Sequence, residues 1–346
     1  MNQPIDPNLA TGDGIFGLNH TPEDASVVLI PVPWDVTTSY RAGTARGPAA
    51  ILKASHQIDL LDRDMGRPYE QGIALLPIPE EFAELNREAR EMALPVIEAL
   101  GPGGNKDLLA RCDAVDEFCE RVNDYVRDTA RQWLNQGKTV GVIGGDHAVP
   151  FGLMQALGER TEFGVLHIDA HADLRKSYEG FRWSHASIFF NVLYAIPAVT
   201  RLVQVGIRDY CDAEFDIIKA NPGRVHTFFD ADLRHELHGG TPWRSLSDKI
   251  LEALPHKVYV SFDVDGLDPT LCPNTGTPVP GGLSFTEAVT LLRELRASGK
   301  EVIGFDLCEV SPGNSALSPN EEEKVDSWDA MVGMRMLYKL IGCLTS

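Results

Sequence analysis

The chain has 346 residues, of which 43% are hydrophobic and 23% are charged, and its formal net charge at pH 7 is −19. This is the composition of a soluble globular protein with ample apolar material for a core. So acidic a chain argues against nucleic acid and anionic membranes as partners and suits a cationic substrate, although acidity can also serve solubility alone.

Six cysteines are scattered along the chain without a Cys-x-x-Cys pair. Together with the size of the chain and the lack of a secretory signal, this pattern predicts reduced thiols and a cytoplasmic protein. No uninterrupted apolar stretch approaches the roughly 20 residues of a membrane span, so we expect no membrane partner.

Residues 1–25 are rich in Asn, Asp, Gly and Pro, which predicts an N-terminal arm that either lies over a neighbouring subunit or is loosely ordered. We expect residues 26–346 to form a single domain, because its acidic and histidine-containing segments must meet in one site. A first strand is predicted at residues 26–32. The loop at residues 34–47 is a candidate wall of the site, and a short helix is predicted at residues 48–54.

A helical insertion is predicted around residues 63–112, in which Pro77, Pro79 and Pro95 break the chain and residues 101–104 form a turn. Asp113 then has the position of an N-cap for a helix that ends at Gly137. One face of this helix is apolar at helical spacing, which is typical of core packing. That face consists of Val115, Phe118, Cys119, Val122, Val126 and Trp133.

The rest of the chain alternates between apolar strands and helices. The capping-box spacing of Ser284 and Glu287 predicts a helix that runs to about Ala297, and an amphipathic helix is predicted at residues 331–344. Such alternation predicts an α/β protein with three layers, α/β/α, around a mostly parallel sheet. The predicted strands cover residues 139–143, 163–168, 202–206, 225–229, 257–262 and 302–306.

Side chains that bind metals follow three of these strands directly. Because the carboxyl ends of parallel strands meet at one edge of a sheet, where open α/β sheets bind their ligands, we expect these side chains to converge. Imidazoles and carboxylates without cysteine form a hard donor set that suits Mn²⁺, Ni²⁺ or Fe²⁺, and the excess of carboxylates suggests two ions. The residues are Asp146, His147, Asp169, His171, Asp173, Asp263 and Asp265.

Three motifs together resemble the ureohydrolase family of arginases and agmatinases. They are Gly-Gly-Asp-His at residues 144–147, Asp-Ala-His-Ala-Asp at 169–173, and Ser-Phe-Asp-Val-Asp-Gly-Leu-Asp-Pro at 261–269. The resemblance implies an arginase-like fold over roughly residues 27–343, two divalent ions, Mn²⁺ or Ni²⁺, and a homotrimer or homohexamer. By position it implies that one ion is bound by His147, Asp169, Asp173 and Asp263, and the other by Asp169, His171, Asp263 and Asp265.

The same resemblance implies roles for residues that act on the substrate. His185, in a Ser-His motif, is the candidate proton shuttle. Glu309 matches the family's guanidinium-binding glutamate, since a carboxylate fits the planar fork of a guanidinium. Asp173 is assigned to the catalytic set as well as to the metal ligands. His167 and Asp146 are interpreted as supporting groups.

We hypothesise from these residues a hydrolase with two metal ions that cleaves a guanidino C–N bond of a small cationic substrate and releases urea. The aromatic run at residues 178–190 resembles the branch of the family that contains guanidine hydrolases, and aromatic faces can hold a guanidinium by cation–π attraction. Free guanidine, yielding urea and ammonia, is therefore the expected substrate.

Two alternatives remain open. The chain can be an agmatinase, which produces putrescine and urea, or another guanidino-acid ureohydrolase. An alternative of another class is a haloacid dehalogenase-like phosphotransferase, which the motif Asp263-Val-Asp265-Gly after an apolar strand suggests. That alternative leaves His147, Asp169 and His171 without a role.

Overall fold

The computed structural model describes residues 12–313 and 327–344. Within them, eight strands form one sheet in which every hydrogen-bonded pair of neighbours is parallel. The strands are β1 (Val27–Val32), β2 (Ile73–Leu75), β3 (Thr139–Gly144), β4 (Phe163–Ile168), β5 (Val199–Ile207), β6 (Val225–Phe229), β7 (Lys257–Asp263) and β8 (Glu301–Cys308). Their order across the sheet is β2-β1-β3-β8-β7-β4-β5-β6.

Ten α-helices lie along the described residues. They are α1 (Gly47–Ser55), α2 (Glu80–Glu98), α3 (Lys106–Leu134), α4 (Phe151–Gly158), α5 (Ile188–Ala195), α6 (Asp212–Ala220), α7 (Asp230–His238), α8 (Trp243–Glu252), α9 (Phe285–Ala297) and α10 (Trp328–Gly342). None of these helices is both long and apolar enough to cross a membrane.

The helices cover both faces of the sheet. Successive strand residues point to opposite faces, so Val27 and Leu29 of β1 belong to one hydrophobic cluster and Val28 and Ile30 to the other. The first cluster joins the sheet to α1, α7, α8, α9 and α10, and the second joins it to α2, α3, α4 and α5. The predicted three-layer α/β/α fold is confirmed. All residues of β1 and β4 are buried, as expected for parallel strands covered on both sides.

The predicted break at Pro95 is wrong, because α2 continues through this residue. A proline removes one backbone hydrogen bond and crowds the carbonyl of the residue four positions before it. Pro95 lies in the last turn of α2, where the loss affects only the end of the helix. The same region also contains β2, which pairs with β1 at the edge of the sheet.

The predicted start of the next helix at Asp113 is also wrong. Asn105 is the N-cap of α3, and its side chain accepts hydrogen bonds from the amides of Asp107 at 2.9 Å and Leu108 at 3.4 Å. The first turns of α3 are largely exposed, so the apolar periodicity begins later than the helix does. The predicted core face itself is confirmed, because Val115, Cys119, Val122, Val126 and Trp133 are buried and Phe118 packs against their cluster.

The described part of the predicted N-terminal arm packs on its own chain, whereas residues 1–11 lie outside the described residues. Ile15 and Phe16 are buried in the first hydrophobic cluster. The Phe16 amide donates a hydrogen bond to Ser55 Oγ at 2.9 Å, and its ring meets Tyr338 edge-on with 4.9 Å between centroids. Residues 12–25 therefore contribute to the same core as α1 and α10.

We predict that Phe16→Ala lowers the free energy of unfolding by about 3–5 kcal/mol, the usual cost of removing a buried aromatic ring. The measurement is chemical denaturation followed by circular dichroism. The matched control is Leu61→Ala, since Leu61 is 68% exposed and its loss should change stability by less than about 0.5 kcal/mol. Equal effects of the two substitutions would show that the arm is not part of the core.

Candidate metal centre and active site

The candidate site lies at the carboxyl ends of four adjacent strands, β3, β8, β7 and β4. His147 follows β3, Glu309 follows β8, Asp263 ends β7, and residues 169–173 follow β4. Because all four strands run in the same direction, their ends bring these segments to one edge of the sheet. The predicted convergence of the three ligand segments is what the sheet order produces.

His147 faces three carboxylates through one ring nitrogen. Its Nδ1 lies 3.0 Å from Asp169 Oδ2, 3.3 Å from Asp173 Oδ2 and 3.3 Å from Asp263 Oδ2. Its Nε2 lies 2.8 Å from Ser261 Oγ. A ring that donates from Nε2 to Ser261 leaves the Nδ1 lone pair toward the carboxylates, which is the arrangement of a metal-binding histidine. The residues expected to bind one ion are His147, Asp169, Asp173 and Asp263.

His171 faces the second group of carboxylates. Its Nδ1 lies 3.0 Å from Asp265 Oδ2 and 3.5 Å from Asp169 Oδ1. Asp169 thus directs one oxygen to His147 and the other to His171, as a bridging ligand must. Asp263 Oδ1 instead accepts a hydrogen bond from the Asp265 amide at 2.8 Å. Its expected bridging role stays a prediction.

The charge balance of this cluster calls for cations. Asp169, Asp173, Asp263 and Asp265 are each at most 4% exposed. Their ion-pair partners among residues 12–313 and 327–344 are histidines, with no Lys or Arg. Burial and neighbouring carboxylates raise the pKa of Asp173 and of Asp263. Buried anions that repel each other are stable only with positive charge among them. Imidazole and carboxylate donors suit divalent ions such as Mn²⁺ and Ni²⁺.

Polar side chains within the strands orient the ligands. His167 Nε2 lies 2.7 Å from Asp169 Oδ2, while Gln204 Nε2 donates to His167 Nδ1 at 3.1 Å. This places the ring proton on Nε2, from which His167 donates to Asp169. Gln204 and Ser261 are the sheet neighbours of His167 in register. Sequence reasoning missed both, although a single polar residue inside an apolar strand is a signal that could have found them.

Two residues of the site hold strained backbone conformations. Asp173 has φ of 52° and Glu309 has φ of 65°, a region that side chains other than glycine rarely adopt. Each such conformation costs on the order of 1–3 kcal/mol and persists only where surrounding contacts enforce it. At Asp173 the carbonyl accepts hydrogen bonds from the amides of Phe189 at 3.0 Å and Phe190 at 3.2 Å. The strain orients the two carboxylates toward the interior of the site.

Only one of the two carboxylate oxygens of Glu309 has a hydrogen-bond partner among the described residues. Its Oε1 accepts a hydrogen bond from the His147 amide at 2.9 Å, whereas its buried Oε2 has no hydrogen-bond partner among the described residues. Oε2 would lie 3.3 Å from a Cβ at Gly276, so the absence of a side chain there leaves room beside it. Burial and the nearby Asp146 and Asp265 carboxylates raise the pKa of Glu309.

A cavity of about 260 Å³ opens onto the cluster. His171, Asp173 and His185 line it, whereas Glu309 does not, although the loop residues that follow Gly276 do. The other lining residues are Ser39, Tyr40, Arg175, Tyr178, Ala186, Asp209, Glu214, Thr277, Pro278 and Val279. The loop at residues 34–47 thus forms part of the wall, in keeping with the sequence interpretation.

His185 is held at the cavity by a residue that sequence reasoning missed. Its Nδ1 lies 3.2 Å from Thr37 Oγ1, and this hydroxyl lies 3.4 Å from Asp146 Oδ2. Burial and the nearby His171 and His147 lower the pKa of His185 to about 3. The imidazole is therefore neutral at neutral pH.

The aromatic run at residues 178–190, expected to hold the guanidinium by cation–π attraction, lies mostly in the core. Phe181 and Phe189 are fully buried, and the Phe189 ring packs on His167 with 4.0 Å between centroids. Trp183 donates to Glu120 at 3.1 Å on the side of α3. Of the aromatic run only Tyr178 lines the cavity, and the Arg175 guanidinium lies over its ring at 5.0 Å. These aromatics belong to the core between sheet and helices.

Arg208 ties the ligand loop after β7 to the wall of the cavity. Its guanidinium donates to the carbonyl of Asp265 at 2.7 Å, of Leu267 at 3.2 Å and of Val279 at 3.0 Å. A planar guanidinium with five donors can serve several carbonyls at once. The position of the Asp265 carboxylate is thereby coupled to the loop that faces the substrate space.

Comparison with known proteins agrees with this geometry. A sequence profile described as the Arginase family matches residues 25–318. The chain is 37% identical over 304 residues to an N(1)-aminopropylagmatine ureohydrolase of Thermus thermophilus, covering 86% of this chain and 87% of the relative. It is 29% identical over 291 residues to an agmatinase of Sodalis glossinidius, covering 84% and 80%. The crystal structure of an agmatine ureohydrolase of Thermoplasma volcanium superposes with a TM-score of 0.70, at 23% identity, over 96% of this chain and 94% of that one.

The chain belongs to the arginase family. It is a hydrolase of the ureohydrolase class, a family with a dinuclear divalent metal site, and its buried His/Asp cluster is a site of that kind. The phosphotransferase alternative fails, because His147, Asp169 and Asp173, which it leaves without a role, form one cluster with Asp263.

We predict that Asp263→Ala lowers bound metal, measured by mass spectrometry after dialysis against Mn²⁺ or Ni²⁺, and abolishes the rise in Tm that metal produces. Metal at 100 times its Kd should stabilise the native protein by about 2.7 kcal/mol. The metal-free variant should be no less stable than the metal-free native chain, because one buried repelling charge is gone.

The matched control is Asp216→Ala on α6, which removes an acid whose side chain is 78% exposed and should leave metal content unchanged. Full hydrolase activity without bound metal would contradict a metal-dependent site.

Proposed function

We propose that the chain hydrolyses the guanidino C–N bond of a linear polyamine-like cation, agmatine or N1-aminopropylagmatine, and releases urea. The observation that carries the proposal is the pair of His/Asp groups at the base of a cavity lined by further carboxylates and by His185. The names of the relatives from Thermus thermophilus and Sodalis glossinidius support the same substrate class.

The charge of the cavity favours a substrate with a second positive group. Asp173, Asp209 and Glu214 line it, and its one arginine, Arg175, lies 3.5 Å from Glu214 and is neutralised by it. A guanidinium next to the His/Asp cluster would leave the distal ammonium of agmatine toward Asp209. A carboxylate tail, as in 4-guanidinobutyrate or arginine, would meet negative charge instead.

Free guanidine has less support than the sequence suggested. Most of the aromatic residues expected to enclose guanidine lie in the core. Tyr178, the one aromatic residue of that run in the cavity wall, is already in cation–π contact with Arg175. An open cavity of about 260 Å³ leaves space beyond a single guanidinium. Guanidine therefore remains a comparison substrate in the test.

In this proposal His147, Asp169, Asp173 and Asp263 hold one divalent ion, and Asp169, His171, Asp263 and Asp265 the other. Mn²⁺ and Ni²⁺ both match this donor set. Two ions bound there would supply an activated water at neutral pH and positive charge for the attack on the guanidinium carbon. The strained backbone of Asp173 would hold its carboxylate in a fixed position at the cavity.

His185 and Glu309 act on the substrate in the same proposal. His185 faces Thr37 through Nδ1, so Nε2 is the atom that could accept the proton released by the attacking water and pass it to the leaving amine. Glu309 offers its unpartnered Oε2 to a guanidinium N–H, which would also hold the carboxyl in its ionised form. The Asp146 carboxylate accepts a hydrogen bond from the Thr37 hydroxyl at 3.4 Å.

We predict that kcat/KM for agmatine or N1-aminopropylagmatine exceeds that for free guanidine, 4-guanidinobutyrate and arginine by tenfold or more, because only the first two bring a tail of net positive charge to the acidic wall. Urea release is measured on enzyme loaded separately with Mn²⁺ and Ni²⁺. If guanidine wins under both metals, the guanidine hydrolase hypothesis stands, and if no guanidino compound is turned over, the proposed function fails.

Asp209→Asn is the internal comparison for this assay. Loss of an exposed ion pair worth ~0.5–1 kcal/mol should raise KM for the amine-bearing substrates about two- to fivefold. KM for guanidine, which has no second cation, should not change.

We also predict that His185→Ala lowers kcat by about 10²–10⁴-fold, the range for a proton-transfer group, while metal content stays intact. Single-turnover kinetics and metal analysis on the same preparations check this. His235→Ala, an exposed histidine of α7, is the matched control and should turn over normally. Normal turnover of His185→Ala would assign His185 a structural role.

A further inference from the structure

The contact between His185 and Thr37 joins two loops that come from distant parts of the chain, since the two residues are 148 positions apart. The loop of His185 begins with the candidate ligand segment at residues 169–173, whereas the loop of Thr37 contains no candidate ligand. Each loop is fastened by side chains of one helix, α3 for the loop of His185 and α2 for the loop of Thr37. We propose that Arg90 of α2 and Asp116 of α3 are positioning residues that hold His185 for proton transfer, an inference that rests on the role of His185 in the proposed function.

Asp116 fastens the backbone that leads into His185. Its Oδ1 accepts hydrogen bonds from the amides of Arg182 at 3.0 Å and Trp183 at 3.3 Å. One helical turn later, Glu120 accepts from Trp183 Nε1 at 3.1 Å. The segment two and three residues before His185 is therefore fixed to α3 by backbone and side-chain hydrogen bonds. Ser184 alone separates these bonds from the catalytic candidate.

Arg90 fastens the loop that carries Thr37. Its Nη1 donates to the carbonyl of Val36 at 2.8 Å and to that of Thr38 at 2.6 Å, the residues on either side of Thr37. Asn86, one turn earlier on α2, exchanges two hydrogen bonds with Asp35, at 2.9 Å from the Asp35 amide and at 3.0 Å to its Oδ1. These bonds determine where the Thr37 hydroxyl stands.

The two helices act as one support. Phe82 of α2 packs on Tyr125 of α3 with 4.9 Å between ring centroids, and buried residues of both helices share one hydrophobic cluster. The Thr37 hydroxyl then meets His185 twice, at Nδ1 at 3.2 Å and at the backbone amide at 3.4 Å. Since a displacement of about 1 Å can cost a factor of about 10² in rate, this support acts on turnover rather than on metal binding.

The first test is Asp116→Ala. We expect kcat to fall about 10–100-fold, with KM within about twofold and metal content unchanged, because Asp116 binds the amides of Arg182 and Trp183 and none of the candidate ligands. Asp116→Asn should restore kcat, since its amide oxygen can still accept both backbone N–H bonds. Asp113→Ala, an exposed acid one turn earlier on α3, is the matched control and should not change kcat. Failure of Asp116→Asn to restore kcat would overturn the assignment of Asp116.

The second test is Arg90→Met, which keeps the apolar stem and removes the donors to Val36 and Thr38. Its matched control is Arg87→Met on the exposed face of the same helix, where Arg87 pairs with Glu84 and Glu91. A fall in kcat for Arg90→Met alone supports the proposal independently of Asp116. Equal effects of the two arginine substitutions overturn it.

Coupling to His185 separates positioning from general destabilisation. In a His185→Ala background, Asp116→Ala and Arg90→Met should cause no further fall in kcat, because the group they position is gone. Additive losses overturn the proposal.

Crystal structures of the two single variants give a readout without activity. The distance from His185 Nδ1 to Thr37 Oγ1 should increase from 3.2 Å, and an unmoved His185 in both overturns the proposal. This readout also holds if no substrate of the panel is turned over, so failure of the proposed function and failure of the positioning proposal are distinguishable.

Discussion

The structure depends on the burial of four mutually repelling carboxylates around two imidazoles at one edge of the sheet. Such a group cannot persist as bare anions in a low-dielectric interior, so the site favours protons or divalent cations among the carboxylates. The hydrogen bonds of the site orient the candidate metal ligands toward the space between the carboxylates. Ser261 turns the free nitrogen of His147 to the carboxylates, and His167 holds Asp169, whose two oxygens face the two histidines.

In the proposed function, the sheet positions the metal-facing groups and the helices position the substrate-facing groups. The parallel strands set the positions of the metal-facing groups through their register, which leaves little freedom to residues 169–173 or to Asp263. The substrate-facing groups come from loops, which have no such register and are fastened one by one. Arg208 holds the ligand loop to the cavity wall, and α2 and α3 hold the loops of Thr37 and His185. Loss of the second arrangement would leave a metal centre that binds ions but turns over slowly.

Much of the architecture could be predicted from the sequence because its signals are local. The strand at residues 225–229 and the capping box at Ser284 are properties of a few adjacent residues, and both are present as predicted. Thr37 could not be found in this way, since its importance comes from His185 and Asp146 on other loops. The start of α3 was misjudged for the opposite reason, because a polar, exposed first turn has no apolar periodicity to detect. The aromatic run misled because residue type alone does not say which side of a segment faces the core.

The place of β8 in the sheet has a consequence for biosynthesis. This strand, which follows the other seven described strands in the chain, lies between β3 and β7, which pair with it and not with each other. Until residues 301–308 emerge, the nascent chain can assemble two partial sheets, β2-β1-β3 and β7-β4-β5-β6, with open edges facing a gap. Exposed edges of this kind are sites of misassembly until β8 pairs with both of them. His147 and Asp263 belong to different halves, so the centre for the ions can form only after residues 301–308 have emerged and joined the two partial sheets.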